Sequence, residues 1–470
     1  MKTVKIIALL VTINLSSTAF SQCWKEIAPG RQHSVAIKTD GSLWAWGRNQ
    51  FGQLGDGTTI NKNVPTRIGD DNDWAMVDAS LYNTIALKND GSLWCWGNNN
   101  YGQIGDGNQG ENLFNPVPTR IGTATDWVAI AITYNRAYAL KSNGTLWGWG
   151  YGQYLGNGDS IDHYVPHQIG TDNNWVAVTT SSMDNLALKS NNTLWGWGEN
   201  EAGGLGNGTT FLVPIPTLTG NGTSDWSKIS IGKGSNDGAS SMSIKTDGSL
   251  WASGGNFYGT LGIGNNDDVS MMTRVGSESD WNWASTDIGT SFGLKTDGKL
   301  WGWGSNIVGQ IGDGTLVDKN LPVAIAPEIS FVKVRNESHV LAISENNSLY
   351  AWGWNNYGQL GDGTFVNKPV PTLIGDSCPL AVSSFDAIDS LRLYPNPAQS
   401  SVTISFRSHV NSQLSLSIEN ALGQVVYNSK LYAFLGVQKH TIDLESYTSG
   451  IYFLTLKSQD KGSTIKLIKN

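Results

Sequence analysis

The feature that most constrains this chain is a short tryptophan motif that returns seven times at a spacing near 50 residues. In its fullest form the motif reads Leu-Trp-x-Trp-Gly, and successive copies are 50, 53, 48, 56, 50 and 49 residues apart. The copies begin at Leu43, Leu93, Leu146, Leu194, Leu250, Leu300 and Leu349. A period of this length indicates one supersecondary unit that is repeated along the chain and shares a core with its neighbours.

Each unit is predicted to contain four short β-strands. Residues 35–38 and 43–46 alternate between apolar and polar positions, as half-buried strands do. Asp-Gly or Asn-Gly pairs such as Asp40-Gly41 follow the second strand, and such pairs favour two-residue hairpin turns with positive φ at both positions. No stretch shows helical periodicity. Four strands in each of seven units predict an all-β, seven-bladed β-propeller, with an open solenoid as the alternative.

The composition excludes several other classes of protein. Glycine supplies 56 of the 470 residues, and all 20 tryptophans lie between Trp24 and Trp354, which favours repeated tight turns over an α/β enzyme. With 39% apolar residues the chain is too apolar to be disordered. Three cysteines exclude a disulfide-dense mini-protein and a cysteine-cluster zinc site. No apolar run reaches the roughly 18 residues of a membrane-spanning helix.

The two ends of the repeat array meet in phase. The last unit runs through Gly375 to Cys378, and the first unit opens at Cys23. In repeat register Cys378 falls on the position of Asn72 and Cys23 on that of Asp73, so a closed ring would place the two cysteines side by side. We therefore predict a Cys23–Cys378 disulfide, against the alternative of two unrelated small residues. Cys95 lies inside a predicted strand and is interpreted as a buried free thiol.

The first 21 residues are interpreted as a secretory signal peptide. Lys2 and Lys5 precede an apolar stretch, and Ala19-Phe20-Ser21 predicts cleavage after Ser21. The alternatives are a buried N-terminal strand and a lipoprotein signal that uses Cys23. Export would take the protein to compartments where disulfides persist.

Residues 22–378 resemble a known repeat family. Units of the form Leu-Trp-x-Trp-Gly-x-Asn-x-Tyr-Gly-Gln-Leu-Gly-Asp-Gly-Thr are similar to regulator of chromosome condensation repeats, which form a seven-bladed propeller. Unit five departs from the pattern with Ser253 for the second tryptophan and Thr260 for the glutamine, unit three is shortened after Gly150, and unit seven has Phe331 and Tyr350 for tryptophan.

The functions of that family carry over poorly to this chain. The founding member acts on chromatin and exchanges guanine nucleotide on a small GTPase in the nucleus, whereas this chain is predicted to be exported. Residues 23–378 hold 21 Lys and Arg against 33 Asp and Glu, a difference of −12. Such a charge repels phosphate backbones, so we expect no nucleic-acid partner.

The segment after Cys378 differs from the repeats in composition and in its pattern of apolar residues. Residues 379–390 are predicted to be a linker, and residues 391–470 contain no tryptophan and show strong alternation in 402–406, 414–418 and 451–456. Six or seven short strands in this space predict a small antiparallel β-sandwich.

This tail resembles the type A C-terminal sorting domain of type IX secretion cargo, found in Bacteroidota. The residues that carry the resemblance are Tyr394, Pro395, Asn396, Pro397, Gly423, Gly450, Tyr452, Lys466 and Lys469. The resemblance implies recognition by an outer-membrane translocon, followed by release or by anchoring at the cell surface. The alternative is an accessory binding sandwich.

A search for catalytic chemistry finds no constellation of residues. His33 is interpreted as a strand residue with a satisfied ring nitrogen, and His163 and His167 are predicted to flank a loop rather than to share a helical face. Gly-Asp-Gly-Thr at 55–58, 312–315 and 361–364 is interpreted as a turn, because each Asp lacks the clustered carboxylates of a calcium site. We predict no catalytic residue, no metal ion and no cofactor.

One recurring aromatic position is a candidate for binding. It precedes the glycine of the Tyr-Gly-Gln segment and is occupied by Phe51, Tyr101, Tyr151, Tyr258 and Tyr357. On one face of a propeller these residues would form anchors for a protein partner, although we favour the interpretation that they pack on the tryptophans of adjacent blades. Loops that differ between units are better candidates for specificity, namely 108–115, 159–163 and 233–239.

The sequence therefore predicts a secreted or surface-displayed propeller that binds an extracellular protein or glycan, without a transmembrane segment. An alternative is an enzyme, such as a lyase or glycan hydrolase, with two carboxylates that converge in the central channel. A second alternative is a nucleotide-exchange or regulatory role by analogy with the family.

Overall fold

The computed structural model describes residues 23–232, 239–287, 289–375, 388–408, 412–420, 424–434, 436–458 and 461–470. The chain divides into two compact units, Met1–Cys378 and Pro379–Asn470. The first unit contains seven four-stranded antiparallel sheets, each built from four consecutive strands. The predicted propeller is confirmed. Its only helical elements among the described residues are two 3-10 turns, Gly152–Tyr154 and Gly220–Gly222.

The seven sheets are numbered as blades in chain order. Blade 1 is β1 (Trp24–Pro29), β2 (His33–Lys38), β3 (Leu43–Gly47) and β4 (Lys62–Ile68). Blade 2 is β5 (Trp74–Ala79), β6 (Asn83–Lys88), β7 (Leu93–Asn98) and β8 (Phe114–Arg120). Blade 3 is β9 (Trp127–Ile132), β10 (Arg136–Lys141), β11 (Leu146–Gly150) and β12 (His163–Gln168). Blade 4 is β13 (Trp175–Thr180), β14 (Asp184–Lys189), β15 (Leu194–Gly198) and β16 (Val213–Leu218).

Blade 5 is β17 (Trp226–Ile231), β18 (Ser240–Lys245), β19 (Leu250–Gly254) and β20 (Val269–Arg274). Blade 6 is β21 (Trp281–Asp287), β22 (Thr290–Lys295), β23 (Leu300–Gly304) and β24 (Lys319–Ile325). Blade 7 is β25 (Phe331–Asn336), β26 (His339–Ser344), β27 (Leu349–Gly353) and β28 (Lys368–Leu373). The first strand of every blade lines a central channel. The turns between the first and second strands and the long loops between the third and fourth strands share one end of the ring, which we call the loop face.

Blade 1 packs directly against blade 7 and closes the ring. The Trp24 amide donates a hydrogen bond to the Asn347 carbonyl at 3.2 Å, and the backbone amide of Gly363 donates to the Asn63 carbonyl at 2.9 Å. Trp24 and Trp46 share one buried apolar cluster with Leu341 and other residues of blade 7. The alternative of an open solenoid is therefore wrong. Cys23 is buried, but Cys378 lies outside the described residues, so the disulfide stays a prediction.

The second tryptophan of the repeated motif joins each blade to the one before it. In six blades its indole N–H donates to a backbone carbonyl in the long loop of the preceding blade, at 2.8–3.2 Å. These tryptophans are Trp46, Trp96, Trp149, Trp197, Trp303 and Trp352, and each is fully buried. In blade 5 the smaller Ser253 occupies this position, and its hydroxyl lies 3.4 Å from the Gly204 carbonyl.

The first tryptophan of the motif has a different role, because its ring face contacts a lysine ammonium group. In blades 1–6 a lysine ammonium lies 3.6–5.1 Å from the centroids of two tryptophan rings, the one that opens the blade and the one in the motif. Five of these lysines also pair with an Asp of the connection between blades. All six cations are thus held between two aromatic faces, and five of them also contact a carboxylate.

Replacing Lys189 with methionine is expected to lower the free energy of unfolding by about 1–2 kcal/mol, because the apolar stem is kept while two cation–π contacts are lost. Lys189 lies 3.6 Å from the Trp195 ring and 2.7 Å from Asp172. Denaturant unfolding followed by tryptophan fluorescence measures the change. The Ser344→Ala variant, at the equivalent position in blade 7, is the control. If Lys189→Met is as stable as the parent, the packing of the lysine between two tryptophan rings does not stabilise the blade.

The turns between second and third strands differ from the predicted two-residue type. Gly41 has φ of 81°, whereas Asp40 does not have a positive φ. The Gly41 amide donates to the Lys38 carbonyl and the Lys38 amide to the Ser42 carbonyl, both at 3.0 Å, which makes a three-residue hairpin closed by a glycine bulge. The expectation of positive φ at both positions was therefore wrong. Asn192 and Asn347 take the left-handed position in blades 4 and 7.

The second unit is a β-sandwich, as predicted. Its strands are β29 (Ile388–Tyr394), β30 (Ser401–Ser408), β31 (Ser412–Asn420), β32 (Val425–Ala433), β33 (Gly436–Asp443), β34 (Gly450–Ser458) and β35 (Lys461–Lys469). A sheet in the order β29-β30-β33 and a sheet in the order β32-β31-β34-β35 enclose one apolar core. The first strand starts at Ile388, three residues before the predicted boundary at residue 391.

Candidate binding surface on the loop face

The five predicted aromatic anchors all lie in the long loops of the loop face and are half-buried. Local hydrogen bonds fix three of them, because a glutamine two residues later accepts the backbone N–H of the aromatic residue at 2.9 Å. This holds for Phe51, Tyr101 and Tyr357. The glycine between the aromatic residue and the glutamine has positive φ, 69° at Gly52, a backbone conformation that glycine adopts without strain.

The aromatic rings contact tyrosines that the sequence analysis did not single out. The Phe51 and Tyr82 ring centroids are 4.7 Å apart, and those of Tyr101 and Tyr134 are 6.2 Å apart. Tyr82 and Tyr134 lie in the short turns that precede β6 and β10 and are 5.8 Å apart. Tyr101 also contacts Tyr151 at 5.5 Å. Rings from blades 1, 2 and 3 therefore touch one another across the loop face.

Arg48 extends these contacts across the seam between blades 1 and 7. Its guanidinium carbon lies 5.6 Å from the Tyr82 ring and 4.9 Å from the Tyr357 ring. Tyr357 in turn contacts Trp354 at 5.6 Å. Hydrogen bonds to Gln32 and Gln50 hold the guanidinium plane. We call the resulting set the aromatic surface, and it comprises Arg48, Phe51, Tyr82, Tyr101, Tyr134, Tyr151, Trp354 and Tyr357.

Tyr258 lies apart from this set and borders a cavity on the same face. Its ring contacts Phe257 at 4.8 Å, and the cavity of about 260 Å³ is also lined by Arg31, Ile307 and Trp354. Trp354 thus belongs to both the aromatic surface and the cavity. Large apolar side chains surround this area, and their exposed fractions reach 70% at Phe257 and 68% at Ile307. Exposed apolar groups in such a concentration are typical of an interaction site.

Two of the predicted variable loops border the loop face, and the third lies mostly outside the described residues. Residues 108–115 follow the turn that carries Tyr101, and residues 159–163 lead into β12. Most of residues 233–239 is not described. Their role in specificity stays a prediction.

The central channel holds a cavity of about 280 Å³ with charges of both signs. Arg335 and Asp78 line it, and the Arg335 guanidinium carbon lies 5.5 Å from the Trp283 ring. Burial lowers the pKa of Arg335, whereas the carboxylates of Glu26 and Asp78 act in the opposite direction. Glu26 forms an ion pair with Lys333 at 2.5 Å. Of the carboxylates that line the channel, Glu26 thus pairs with a cation, Asp78 accepts the Ile132 N–H at 2.9 Å, and Asp287 is the third.

Two fully buried histidines lie at the seam of the ring. His33 is the first residue of β2, and its Nε2 lies 3.0 Å from the Thr84 hydroxyl, which confirms a strand residue with a satisfied ring nitrogen. Nε2 of His339 lies 2.6 Å from the Ser34 hydroxyl. Burial lowers the pKa of His339 to about 3, and the neighbouring His33 adds to the effect.

Acidification is therefore expected to weaken the propeller through His339. Unfolded His339 gains a proton below pH 6.5, whereas the folded residue stays neutral until about pH 3, so stability is full above pH 6.5 and falls as the pH falls. Between pH 7.5 and pH 5.0 the loss amounts to about 2 kcal/mol. Urea unfolding at the two pH values measures it in the parent and in His339→Gln, with His440→Gln as control. An unchanged pH dependence in His339→Gln would refute this origin.

His163 and His167 lie on a strand, so the predicted loop was wrong. Both belong to β12, and their rings stack with centroids 4.3 Å apart. A register shift brings them together, because His163 pairs with Gly150 and His167 pairs with Gly148. Among the described residues, no group of three or more His, Cys, Asp or Glu side chains could hold a metal ion.

The Gly-Asp-Gly-Thr segments form turns, as predicted. Asp56 accepts hydrogen bonds from the Thr58 amide at 2.9 Å, the Thr58 hydroxyl at 2.8 Å and the Asn49 side chain at 3.0 Å. Asp313 and Asp362 repeat the arrangement. Burial raises the pKa of Asp56, but these hydrogen bonds outweigh it, and the net pKa lies below its usual value. Cys95 is a buried free thiol, also as predicted.

The sorting-domain residues meet at the final strand of the sandwich. The Asn396 side chain donates to the Lys466 carbonyl and accepts from the Ile468 amide, both at 2.8 Å. These two hydrogen bonds attach the Tyr394-Pro395-Asn396-Pro397 segment to the backbone of β35. Both X-Pro bonds of this segment are cis. Gly450 pairs with Lys469, and the buried Tyr452 donates its hydroxyl to the Thr448 carbonyl at 2.8 Å. Gly423 and the predicted signal peptide, residues 1–21, lie outside the described residues.

Comparison with protein families identifies both parts of the chain. A model of the secretion system C-terminal sorting domain matches residues 392–470. Models of the regulator of chromosome condensation (RCC1) repeat match residues 40–87, 297–336 and 346–383, and also 24–53 and 77–103. The sorting domain directs the protein through type IX secretion to the cell surface or the medium. Within the described residues, no helix is long and apolar enough to cross a membrane.

Curated relatives match only in short stretches. The ultraviolet-B receptor UVR8 of Arabidopsis thaliana is 48% identical over 44 residues, which are 9% of this chain and 10% of the receptor. Protein RCC2 of Homo sapiens is 53% identical over 36 residues, 8% of this chain and 7% of that protein. Ras guanine nucleotide exchange factor C of Dictyostelium discoideum is 43% identical over 47 residues, 10% of this chain and 3% of that protein. The chain therefore spans a tenth or less of these relatives.

Solved structures share the propeller fold over most of their length. Prp20p of Saccharomyces cerevisiae superposes with a TM-score of 0.64 at 19% identity, covering 76% of this chain and 88% of Prp20p. Human WBSCR16 gives a TM-score of 0.63 at 18% identity, covering 71% and 95%. At these identities the likeness concerns the fold alone. The chain thus combines RCC1 repeats, folded as a seven-bladed propeller, with a C-terminal secretion sorting domain.

Proposed function

We propose that the exported propeller is a binding protein whose aromatic surface holds a protein partner outside the cell. The observation that carries this proposal is the unbroken series of ring and guanidinium contacts from Trp354 through Arg48 to Tyr151, across four consecutive blades. Trp, Tyr and Arg are the residues on which protein interfaces most depend, because they bury a large area and keep a polar group for hydrogen bonding.

Two further features support a protein rather than a nucleic acid as partner. The propeller carries 21 basic against 33 acidic residues, a difference of −12, which disfavours a phosphate backbone. The aromatic side chains are held by contacts with one another and by the Gln32 and Gln50 bonds to Arg48, so little side-chain freedom would be lost on binding.

A photo-crosslinking experiment tests the proposal. A benzophenone amino acid replaces Tyr134 in the full-length secreted protein, and the producing cells and medium are irradiated. We expect one dominant crosslinked protein, and its yield falls when Arg48→Ala and Tyr82→Ala are added. The same probe at Val370, which is 46% exposed on the outer strand β28, is the matched control. Equal products from both positions, or none from Tyr134, would contradict the proposal.

The two alternative functions have weaker support. A hydrolase or lyase would need two converging channel acids. Glu26, Asp78 and Asp287 line the channel, but Glu26 is bound to Lys333 and Asp78 accepts backbone amides. A nucleotide-exchange role rests on family analogy alone.

A further inference from the structure

The cavity that Tyr258 borders on the loop face, which we call the loop-face cavity, is formed by four consecutive blades. Tyr258 comes from blade 5, Thr290 and Ile307 from blade 6, Trp354 from blade 7 and Arg31 from blade 1. Its volume of about 260 Å³ exceeds the roughly 150 Å³ of a cavity that holds benzene, so a six-membered ring with several substituents fits.

Two aromatic side chains line this cavity, one from each side of blade 6. Trp354 makes a perpendicular contact with Tyr357, with ring centroids 5.6 Å apart, and Tyr258 makes one with Phe257 at 4.8 Å. A perpendicular partner covers at most one face of a ring, so these pairs fix the rings without burying both faces. The face of an aromatic ring is negative and attracts the weakly positive C–H groups of a ligand.

The loop-face cavity also contains polar groups that the protein leaves without partners. Within the described residues, the side chain of Arg31 forms no ion pair or hydrogen bond, and the hydroxyl groups of Tyr258 and Ser338 form no hydrogen bond. Thr290 differs, because its hydroxyl donates to the Ser305 carbonyl at 2.8 Å. A guanidinium offers five N–H donors, and each hydroxyl both donates and accepts. Such a set suits a ligand with several hydroxyl groups.

The charges around the cavity favour a neutral ligand. Glu337 is buried and lines the same cavity as Arg31. A carboxylate on the ligand would be repelled by Glu337, and an ammonium group would be repelled by Arg31. Neutral hydroxyl groups accept hydrogen bonds from the guanidinium without either cost.

We propose that the loop-face cavity binds one neutral pyranose ring, the terminal residue of a glycan. The face of the sugar that carries C–H groups lies against Trp354, and its hydroxyl groups bond to Arg31, Ser338 and Tyr258. The cavity opens on the loop face, where the rest of a glycan can continue. This site does not rest on the protein partner proposed above, because it shares only Trp354 with the aromatic surface.

Saturation-transfer NMR with the full-length mature protein tests this proposal without any protein partner. The probes are the methyl glycosides of D-glucose, D-galactose, D-mannose and N-acetyl-D-glucosamine. D-Glucuronate adds a negative charge, and cyclohexylmethanol keeps a six-membered ring without the ring hydroxyls. We expect saturable binding of at least one neutral glycoside in the millimolar range, with the strongest transfer to the C–H protons of one ring face. Glucuronate and cyclohexylmethanol should bind more weakly by about tenfold or more.

Arg31→Met and Trp354→Ala should each weaken binding of the best glycoside by about tenfold. The matched control is Arg274→Met, which removes an exposed arginine of β20 that donates to the Ser277 carbonyl at 2.8 Å, and it should leave the affinity unchanged. Circular dichroism and the urea midpoint show whether each variant is folded, and Arg31→Gln serves if Arg31→Met is not. No saturation by any neutral glycoside up to the millimolar range would overturn the proposal. Tighter binding of glucuronate, or unchanged affinity in Arg31→Met, would also overturn it, whereas the crosslinking result at Tyr134 would be unaffected.

Discussion

Replacing Trp46 with alanine is expected to lower the free energy of unfolding of the propeller by about 3–5 kcal/mol. Trp46 is fully buried, donates its indole N–H to the Gln359 carbonyl of blade 7 at 2.8 Å, and packs on Trp24 with ring centroids 5.9 Å apart. The substitution removes a large buried area and leaves a buried carbonyl without its donor. Its position at the seam makes the loss a direct cost to ring closure.

Blade 5 offers a natural control for this prediction. Ser253 occupies the position of Trp46 and bonds the Ser241 hydroxyl at 2.9 Å, so Ser253→Ala should cost only about 1 kcal/mol. Urea unfolding followed by the fluorescence of the remaining tryptophans reports on the propeller alone, because all 20 tryptophans lie within it. Similar losses in Trp46→Ala and Ser253→Ala would show that the indole does not join the blades.

The second large effect is expected for Gly105→Ala, which should cost about 2–5 kcal/mol. Gly105 has φ of 86°, and an added Cβ would lie 2.6 Å from the indole nitrogen of Trp149 in the next blade. The left-handed backbone accounts for about 1–2 kcal/mol, and displacement of the buried indole accounts for the rest.

Gly122 separates these two contributions. It lies in the connection between blades 2 and 3, after β8, with φ of 61°, and an added Cβ would meet no atom within 4 Å. Gly122→Ala should therefore cost only the backbone share of about 1–2 kcal/mol. Denaturation midpoints of both variants, with the parent as reference, measure the difference. If Gly122→Ala is as destabilising as Gly105→Ala, close approach to the tryptophan is not the reason for the glycine.

The architecture could be predicted because the repeat encodes it locally. The Leu-Trp-x-Trp-Gly segment specifies a strand whose second tryptophan reaches the preceding blade, and the count of copies specifies the number of blades. The departure in blade 5 is also local, since Ser253 forms a shorter version of the same contact. The turn type was predicted less well, because one Asp-Gly pair fits both a two-residue turn and a three-residue turn with a glycine bulge.

The candidate surface could be predicted only in part. Phe51 and Tyr101 repeat at a fixed position, so the motif reveals them. Tyr82 and Tyr134 occur in short turns where the other blades have unrelated residues, and only the ring geometry brings them beside the loops. The signal that could have found them is an aromatic residue just before the second strand of two successive units. The role of Arg48 could not be predicted from the sequence, because its partner Tyr357 is about 300 residues away along the chain.

The strand that carries His163 and His167 shows a different limit. Pro166 lies between them and suggests a loop, but the outer strand of the blade is an edge strand, where proline is tolerated. The register shift against β11 absorbs the extra residues.

Zero-length carbodiimide coupling tests ring closure most directly, and the aromatic surface depends on that closure because Arg48 contacts Tyr357 across the seam. The Glu26 carboxylate of blade 1 and the Lys333 ammonium of blade 7 are 2.5 Å apart, although 307 residues separate them in the chain. Mass spectrometry of the coupled monomer should find a Glu26–Lys333 amide bond, together with local links such as Asp313–Lys319, whose charged atoms are 3.2 Å apart. Recovery of the local links without the Glu26–Lys333 bond would contradict a closed ring.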